Sequence, residues 1–222
     1  ESKVKSVPHR MLMAYALFKA EEPVSSPLIA EAVKSLDARV TNGVFKPHTG
    51  GEALYATGVE MMLMADLNPD KYRDHLAAAS EYVLGQQNSD GSWAYSKGGK
   101  GDTSITQYAL LGLWAAQRTG FDVPLTAWND AANWLINTQL GDGGFAYTPG
   151  TQSGPEAGRS SPTMTPAAVG SLLVVRLHLY PEIPEYGSRF KGKSASKEEA
   201  KKKVFGVLQA AESPEAKVAT PA

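Results

Sequence analysis

The stretch Glu81-Tyr82-Val83-Leu84-Gly85-Gln86-Gln87-Asn88-Ser89-Asp90-Gly91-Ser92-Trp93-Ala94-Tyr95 has a second copy 52 residues further on, Asn133-Trp134-Leu135-Ile136-Asn137-Thr138-Gln139-Leu140-Gly141-Asp142-Gly143-Gly144-Phe145-Ala146-Tyr147. The same offset pairs Gln87 with Gln139, Asp90 with Asp142, Trp93 with Phe145 and Tyr95 with Tyr147. A fixed period near 50 marks a repeated supersecondary unit. Kelch propeller blades share that period, but each needs four short alternating strands. The segments between these motifs have helical periodicity instead.

Two kinds of helix alternate along the chain. Ala53 to Ala65 is apolar nearly all round, through Leu54, Tyr55, Val59, Met61, Met62, Leu63 and Met64. Ile105 to Ala116 and Pro166 to Leu177 repeat that character, which predicts helices buried on all sides. Between them lie amphipathic stretches. In Leu125 to Gln139, Trp128, Ala131, Ala132 and Leu135 form one face at helical spacing, with Asn129, Asp130, Asn133 and Asn137 opposite. Leu28 to Ala38 and Tyr72 to Leu84 read as the same outer type.

Start signals agree with this parse. Ser26-Pro27, Asn68-Pro69 and Thr165-Pro166 each set a capping residue before a proline at the first helical position. Thr49-x-x-Glu52, Ser104-x-x-Gln107 and Ser196-x-x-Glu199 fit capping boxes. The expectation is about eight helices in four antiparallel pairs: 7–20 with 26–39, 51–66 with 70–87, 103–119 with 124–139, and 164–179 with 196–211. Inner helices flanked by outer ones make a two-layer arc. Residues 1–211 are expected to form one domain. Residues 150–162 and 181–195 read as loops, and 212–222 as a disordered tail.

Bulk properties narrow the function classes. A chain of 222 residues with 42% hydrophobic composition can bury a substantial core. A formal net charge of −1 gives no global field for nucleic acid. The absence of cysteine excludes disulfides, thiolate zinc sites and a cysteine nucleophile. The apolar runs near Met61 and Leu172 are shorter than the roughly 20 residues of a membrane span. Glu1-Ser2-Lys3-Val4-Lys5 does not read as a signal peptide; it is compatible with a removed one or with a truncation, so the compartment stays open.

The motif Gln87-x-x-Asp90-Gly91-Ser92-Trp93 resembles the QW motif of squalene and hopene cyclases, and Gln139-x-x-Asp142-Gly143-Gly144-Phe145 resembles a second copy with Phe for Trp. Gly101 to Ala116 is similar to an inner-helix start in prenyltransferase and squalene-oxidase repeat proteins. The likeness covers about residues 50–180. It implies an all-α fold, an α/α-toroid or an open part of one. It also implies a structural role for the motif: the glutamine hydrogen-bonds free backbone groups at helix ends, the aromatic ring stacks over it, and the Asp-Gly turn reverses the chain. Gly91 and Gly143 are accordingly expected at positive φ.

Chemistry is harder to find. Terpene cyclases that protonate an alkene carry an Asp-x-Asp-Asp cluster, and the chain has none. Asp66, Asp70 and Asp74 recur at intervals of four, as magnesium-binding carboxylates could, but Asn68-Pro69 breaks the run and a solvated helix start is the simpler reading. The histidines His9, His48, His75 and His178 form no metal-ligand pair, so no metal or cofactor is expected. Inner-helix starts rim the cavity of a toroid. That nominates His48, Glu52, Tyr55, Asp102, Ser104, Gln107 and Thr165 as ligand-facing residues, with capping as the alternative. A Glu52/Asp102 acid–base pair for sugar chemistry is conceivable. The methionines Met11, Met13, Met61, Met62, Met64 and Met164 all fall on proposed inner helices, either as core or as the lining of an isoprenoid pocket.

The resulting expectation is a non-catalytic toroid that binds an apolar, isoprenoid-like ligand or a protein partner. A terpenoid-cyclase or prenyltransferase-like enzyme acting on a polyprenyl substrate is the first alternative, and a polysaccharide-active enzyme the second. Eight helices fall short of the roughly twelve of a closed toroid, so the chain is either a fragment or an open arc, and an open arc predicts self-association or a partner covering an apolar flank.

Overall fold

The computed structural model describes residues 6–150 and 159–181. The chain separates into two units, Glu1–Tyr180 and Pro181–Ala222, and the first holds all the elements that follow. The predicted helix 196–211, the loop 181–195 beyond Pro181 and the tail 212–222 lie outside the described residues.

The unit is all-α. Its helices are α1 (Val7–Lys19), α2 (Pro27–Asp37), α3 (Ala53–Leu67), α4 (Arg73–Gly85), α5 (Thr103–Arg118), α6 (Leu125–Asn137) and α7 (Met164–Leu179). One small antiparallel hairpin, β1 (Val40–Thr41) and β2 (Val44–Phe45), was not expected. Its turn is Asn42-Gly43, both at positive φ (53° and 76°), which is the geometry a two-residue hairpin turn requires. Phe45 then packs on Tyr82 of α4.

The apolar helix α3 sits at the centre, with Leu54 through Ala65 buried apart from Tyr55. It packs most extensively on α5, and also on α1; α5 in turn packs on α7. This gives a row α1–α3–α5–α7, with α2 against α1, α4 against α3 and α5, and α6 against α7. Side-chain contacts fix the direction of the row. Glu52 near the start of α3 accepts from Ser6 at the start of α1, whereas Asp66 near its end accepts from Tyr15 and Lys19 near the end of α1. Tyr55 stacks on Tyr108 of α5, and Asp66 also accepts from Arg118. Hence α1, α3 and α5 run parallel. Burial pushes the Asp66 carboxyl up, but the bonds from Tyr15, Lys19 and Arg118 outweigh it and hold the group below its ordinary range.

α3 and α5 approach closely at Gly58, which faces the Tyr108 backbone and Gly112. A methyl on Gly58 would lie 2.2 Å from the Tyr108 carbonyl oxygen, and one on Gly112 would lie 3.0 Å from the Gly58 Cα. The helix backbones touch there, and no larger residue fits.

Several sequence expectations change. Asn68-Pro69 does not start a helix: Asn68 caps the end of α3, its side chain accepts from the Lys71 N–H, and α4 begins at Arg73. Asp66 is accordingly an ion-pairing residue inside α3 rather than a solvated helix start. Thr165 lies inside α7, whose N-cap is Thr163. α7 and α1 are not buried on all sides. As the two ends of the described row, they expose Val169 and Leu173, and Met13 and Leu17, respectively. The amphipathic reading of α6 holds: Trp128, Ala131, Ala132 and Leu135 are buried, and the four polar residues opposite are exposed.

Candidate functional site

The two motif copies make nearly the same hydrogen bonds. Gln87 Nε2 donates to the Gly91 carbonyl at 3.0 Å and Gln139 Nε2 to the Gly143 carbonyl at 2.8 Å. Asp90 accepts from the Ser92 N–H and Asp142 from the Gly144 N–H, each at 3.0 Å. The Trp93 N–H donates to Thr106 Oγ1 of α5, and the Phe145 N–H to Thr165 Oγ1 of α7. Each motif thus fastens the end of an outer helix to the first turn of the next row helix. Gly91 and Gly143 have φ of 91° and 82°.

The copies differ in what they face. Gln87 Nε2 also donates to the Ala127 carbonyl in the first turn of α6, and a methyl on Gly91 would sit 2.1 Å from the Asp130 carbonyl oxygen. Gln139 makes no such second bond among the described residues, and a methyl on Gly143 would meet nothing within 4 Å. The buried Trp93 indole donates to the Val83 carbonyl near the end of α4. It is therefore the tryptophan, rather than the glutamine, that bonds a carbonyl at that helix end, one that also accepts from the Gln86 N–H.

Fastened this way, the motifs deliver their tyrosines to the end of the molecule where α3 and α5 begin. Tyr55 and Tyr108 stack with ring centroids 3.8 Å apart. Burial, then a hydrogen bond with Tyr108, hold the Tyr55 hydroxyl well above the ordinary phenol range, and Tyr95 and Tyr147 lie close enough to add to the effect. Tyr95 and Tyr147 are the repeat-related pair, and both are about half exposed, 53% and 47%. Tyr147 hydrogen-bonds Thr163 at the start of α7, and its carbonyl accepts from the Thr103 N–H of α5.

The nominated rim residues divide into groups. Asp102 and Ser104 are buried and engaged in capping. Asp102, not Ser104, is the N-cap of α5: its Oδ1 accepts from the Ser104 and Ile105 N–H groups and the Ser104 hydroxyl, and its Oδ2 from Thr148. Thr165 holds the second motif, as described. Glu52 is exposed and bonded to Ser6. Tyr55 and the half-buried Gln107 remain at the rim, the latter next to Tyr108. Tyr95, Tyr108 and Tyr147 were not nominated. Their signal was the 52-residue offset itself, which pairs Tyr95 with Tyr147.

His48 belongs to a different cluster. Its Nε2 lies 2.7 Å from Glu60 Oε1, and its Nδ1 2.9 Å from Arg39 Nη2. Arg39 also donates to Glu60 from Nε, to the Lys46 carbonyl and to Ser35. Guanidinium nitrogens only donate, so Nδ1 accepts and Nε2 carries the proton. Glu60 is fully buried within the apolar helix α3, and its second oxygen has no hydrogen-bond partner. Sequence reasoning missed it; a lone acid in a run of methionine and leucine was the available signal. Beside the cluster, a cavity of about 280 Å³ opens between α1 and α2.

Asp70 pairs with Arg73 on the surface, and Asp74 lies in the first turn of α4, so the spaced aspartates do not converge with Asp66. Among the described residues no three His, Asp or Glu side chains are placed to share a metal ion, and no helix is long and apolar enough to cross a membrane. No protein-family model matches the chain, and neither does any curated protein.

Proposed function

We propose that this chain is a non-catalytic binding protein of the squalene-cyclase and prenyltransferase repeat type, an α/α-toroid or an arc of one, whose tyrosine rim receives an apolar, isoprenoid-like ligand. The repeat type is supported by two motif copies that fasten successive helices through matching bonds. The binding role is carried by one observation: repeat-related, half-exposed Tyr95 and Tyr147 gather around the stacked Tyr55 and Tyr108 where the row helices begin. Rigid aromatic rings offer large apolar area at small entropic cost, and their hydroxyls suit a site that is partly wet. Cyclisation would need an acid free to protonate an alkene. At this rim Asp102 Oδ1 caps α5 and Oδ2 accepts from the Thr148 hydroxyl, which favours binding over chemistry.

Titration with farnesol and farnesyl diphosphate, followed by tryptophan fluorescence, tests this, with mass spectrometry of the recovered ligand. The expected result is saturable binding, weakened about tenfold or more in Tyr95→Ala/Tyr147→Ala by the lost apolar burial, with ligand recovered unchanged. Product formation overturns the non-catalytic reading. Affinity untouched by the double variant removes the rim as the site.

A second reading, self-association, rests on the apolar pairs Met13/Leu17 and Val169/Leu173 at the two ends of the row. Light scattering that returns a monomer at all accessible concentrations would dismiss it.

A further inference from the structure

The cavity between α1 and α2 is independent of the rim and built differently. One wall is apolar, with Val7 and Met11 from α1 and Leu28 and Ala32 from α2. The same two helices also line it with charge: the Arg10–Glu31 pair joins α1 to α2 beside Met11 and Ala32, and Arg39 and His48 complete the lining.

The two arginines are held in contrasting ways. Arg39 is anchored: Glu60, Ser35, His48 and the Lys46 carbonyl take four of its five N–H groups, and one N–H on Nη1 remains without a partner among the described residues. Its side chain is only 17% exposed. Arg10 is loosely held, bonded through Nη2 to Glu31, with side chains 42% and 60% exposed. Such a surface pair contributes about 0–1 kcal/mol and opens readily.

Glu60 sharpens the point. Burying a carboxylate in an apolar helix carries a desolvation penalty that a methionine like its neighbours would avoid. What Glu60 does is fix the Arg39 guanidinium and the His48 ring at the cavity.

We propose that this cavity is a binding site for a small amphipathic carboxylate. The ligand's carboxylate replaces that of Glu31 on Arg10, one acid exchanged for another, and takes the remaining N–H of Arg39. Its hydrocarbon tail lies along Met11, Leu28 and Ala32. No bond is made or broken beyond these hydrogen bonds, and Glu31 turns out into water. Arg10 and Arg39 recognise the head, and Glu60 is a positioning residue acting through Arg39.

Isothermal titration of the full chain with octanoate, octanol and acetate tests the proposal. Octanoate is expected to bind saturably. Octanol, which has the tail without the charge, should be about 10–100-fold weaker, the worth of a charge-assisted bidentate contact. Acetate should be weaker still. Arg10→Gln should weaken octanoate several-fold and leave octanol unchanged, the Arg39 contact being retained. Glu31→Gln, which removes the competing carboxylate, should tighten octanoate several-fold. Both positions are solvent-exposed, so circular dichroism should remain that of the parent. Octanoate and octanol binding alike, Glu31→Gln failing to tighten, or no saturation by octanoate would each overturn the proposal. None of these outcomes bears on the tyrosine rim.

Discussion

Gly91 and Gly143 occupy the same position in two copies of one turn, at φ of 91° and 82°. Replacing either by alanine therefore incurs a similar backbone cost, about 1–2 kcal/mol for a side chain at positive φ. Either change also gains a similar amount from the stiffer unfolded chain. The surroundings differ. At Gly143 the new methyl meets nothing within 4 Å among the described residues, whereas at Gly91 it lies 2.1 Å from a carbonyl oxygen of α6 and 2.3 Å from its carbon. Backbone within a packed helix cannot yield as a side-chain tip can. The turn must lift away, adding an overpacking cost of about 1–3 kcal/mol and the loss of the Gln87 bond to Ala127, about 1 kcal/mol. Gly143→Ala should thus cost about 0–1.5 kcal/mol and Gly91→Ala about 2–5, once the unfolded-state gain is subtracted. In a unit of this size each kcal/mol corresponds to about 2–4 °C in melting temperature. Urea and thermal unfolding followed by circular dichroism and tryptophan fluorescence measure both variants. Equal losses, or a larger one at Gly143, would refute the idea that the first motif is clamped onto α6 and the second left open.

Three further outcomes follow from the same contacts. Glu60→Leu should cost about 3–5 kcal/mol by leaving the Arg39 guanidinium unpaired, while Glu60→Leu with Arg39→Leu should recover most of it, as read by urea denaturation. Asp102→Ala should cost about 1–2 kcal/mol through loss of the α5 cap and Ser104→Ala clearly less, and a reversal would return the cap to Ser104. His178 stacks on Trp128, and burial holds its imidazole below the ordinary value near 6.5. Because the folded value is the lower one, its contribution is complete above pH of about 6.5 and is lost as pH falls through the folded value. The pH dependence of thermal unfolding in that window should flatten in His178→Phe.

The inner and outer helix alternation was legible because burial on all sides and burial on one face leave different periodicities. The row helix α3 and the outer helix α6 both follow from that. The glycine turns were legible from the repeat. Three things were not. Asp102 competes with Ser104 for one cap, and only the backbone path, with φ −124° and ψ 128° at Asp102, decides between them. The Asn42-Gly43 hairpin carries a strong turn signal, but two-residue strands are too short to register a period of two. Glu60 looked like one polar residue in a buried helix, and its significance depends on Arg39 and His48, which come from an earlier segment of the chain. Sites assembled from separate elements leave no spacing rule to read.

The contact of Gly58 with Gly112 acts as a fulcrum. It sets the separation of α3 and α5 largely by backbone, with the Met61 thioether filling the space beside Gly112. On one side of it stand the stacked tyrosines, and on the other the Asp66 ion pairs. Residues at the tyrosine end can therefore be exchanged for others without changing how the two helices meet. A scaffold of this kind lets the rings at that end vary while the helix crossing stays put, provided the two glycines are retained.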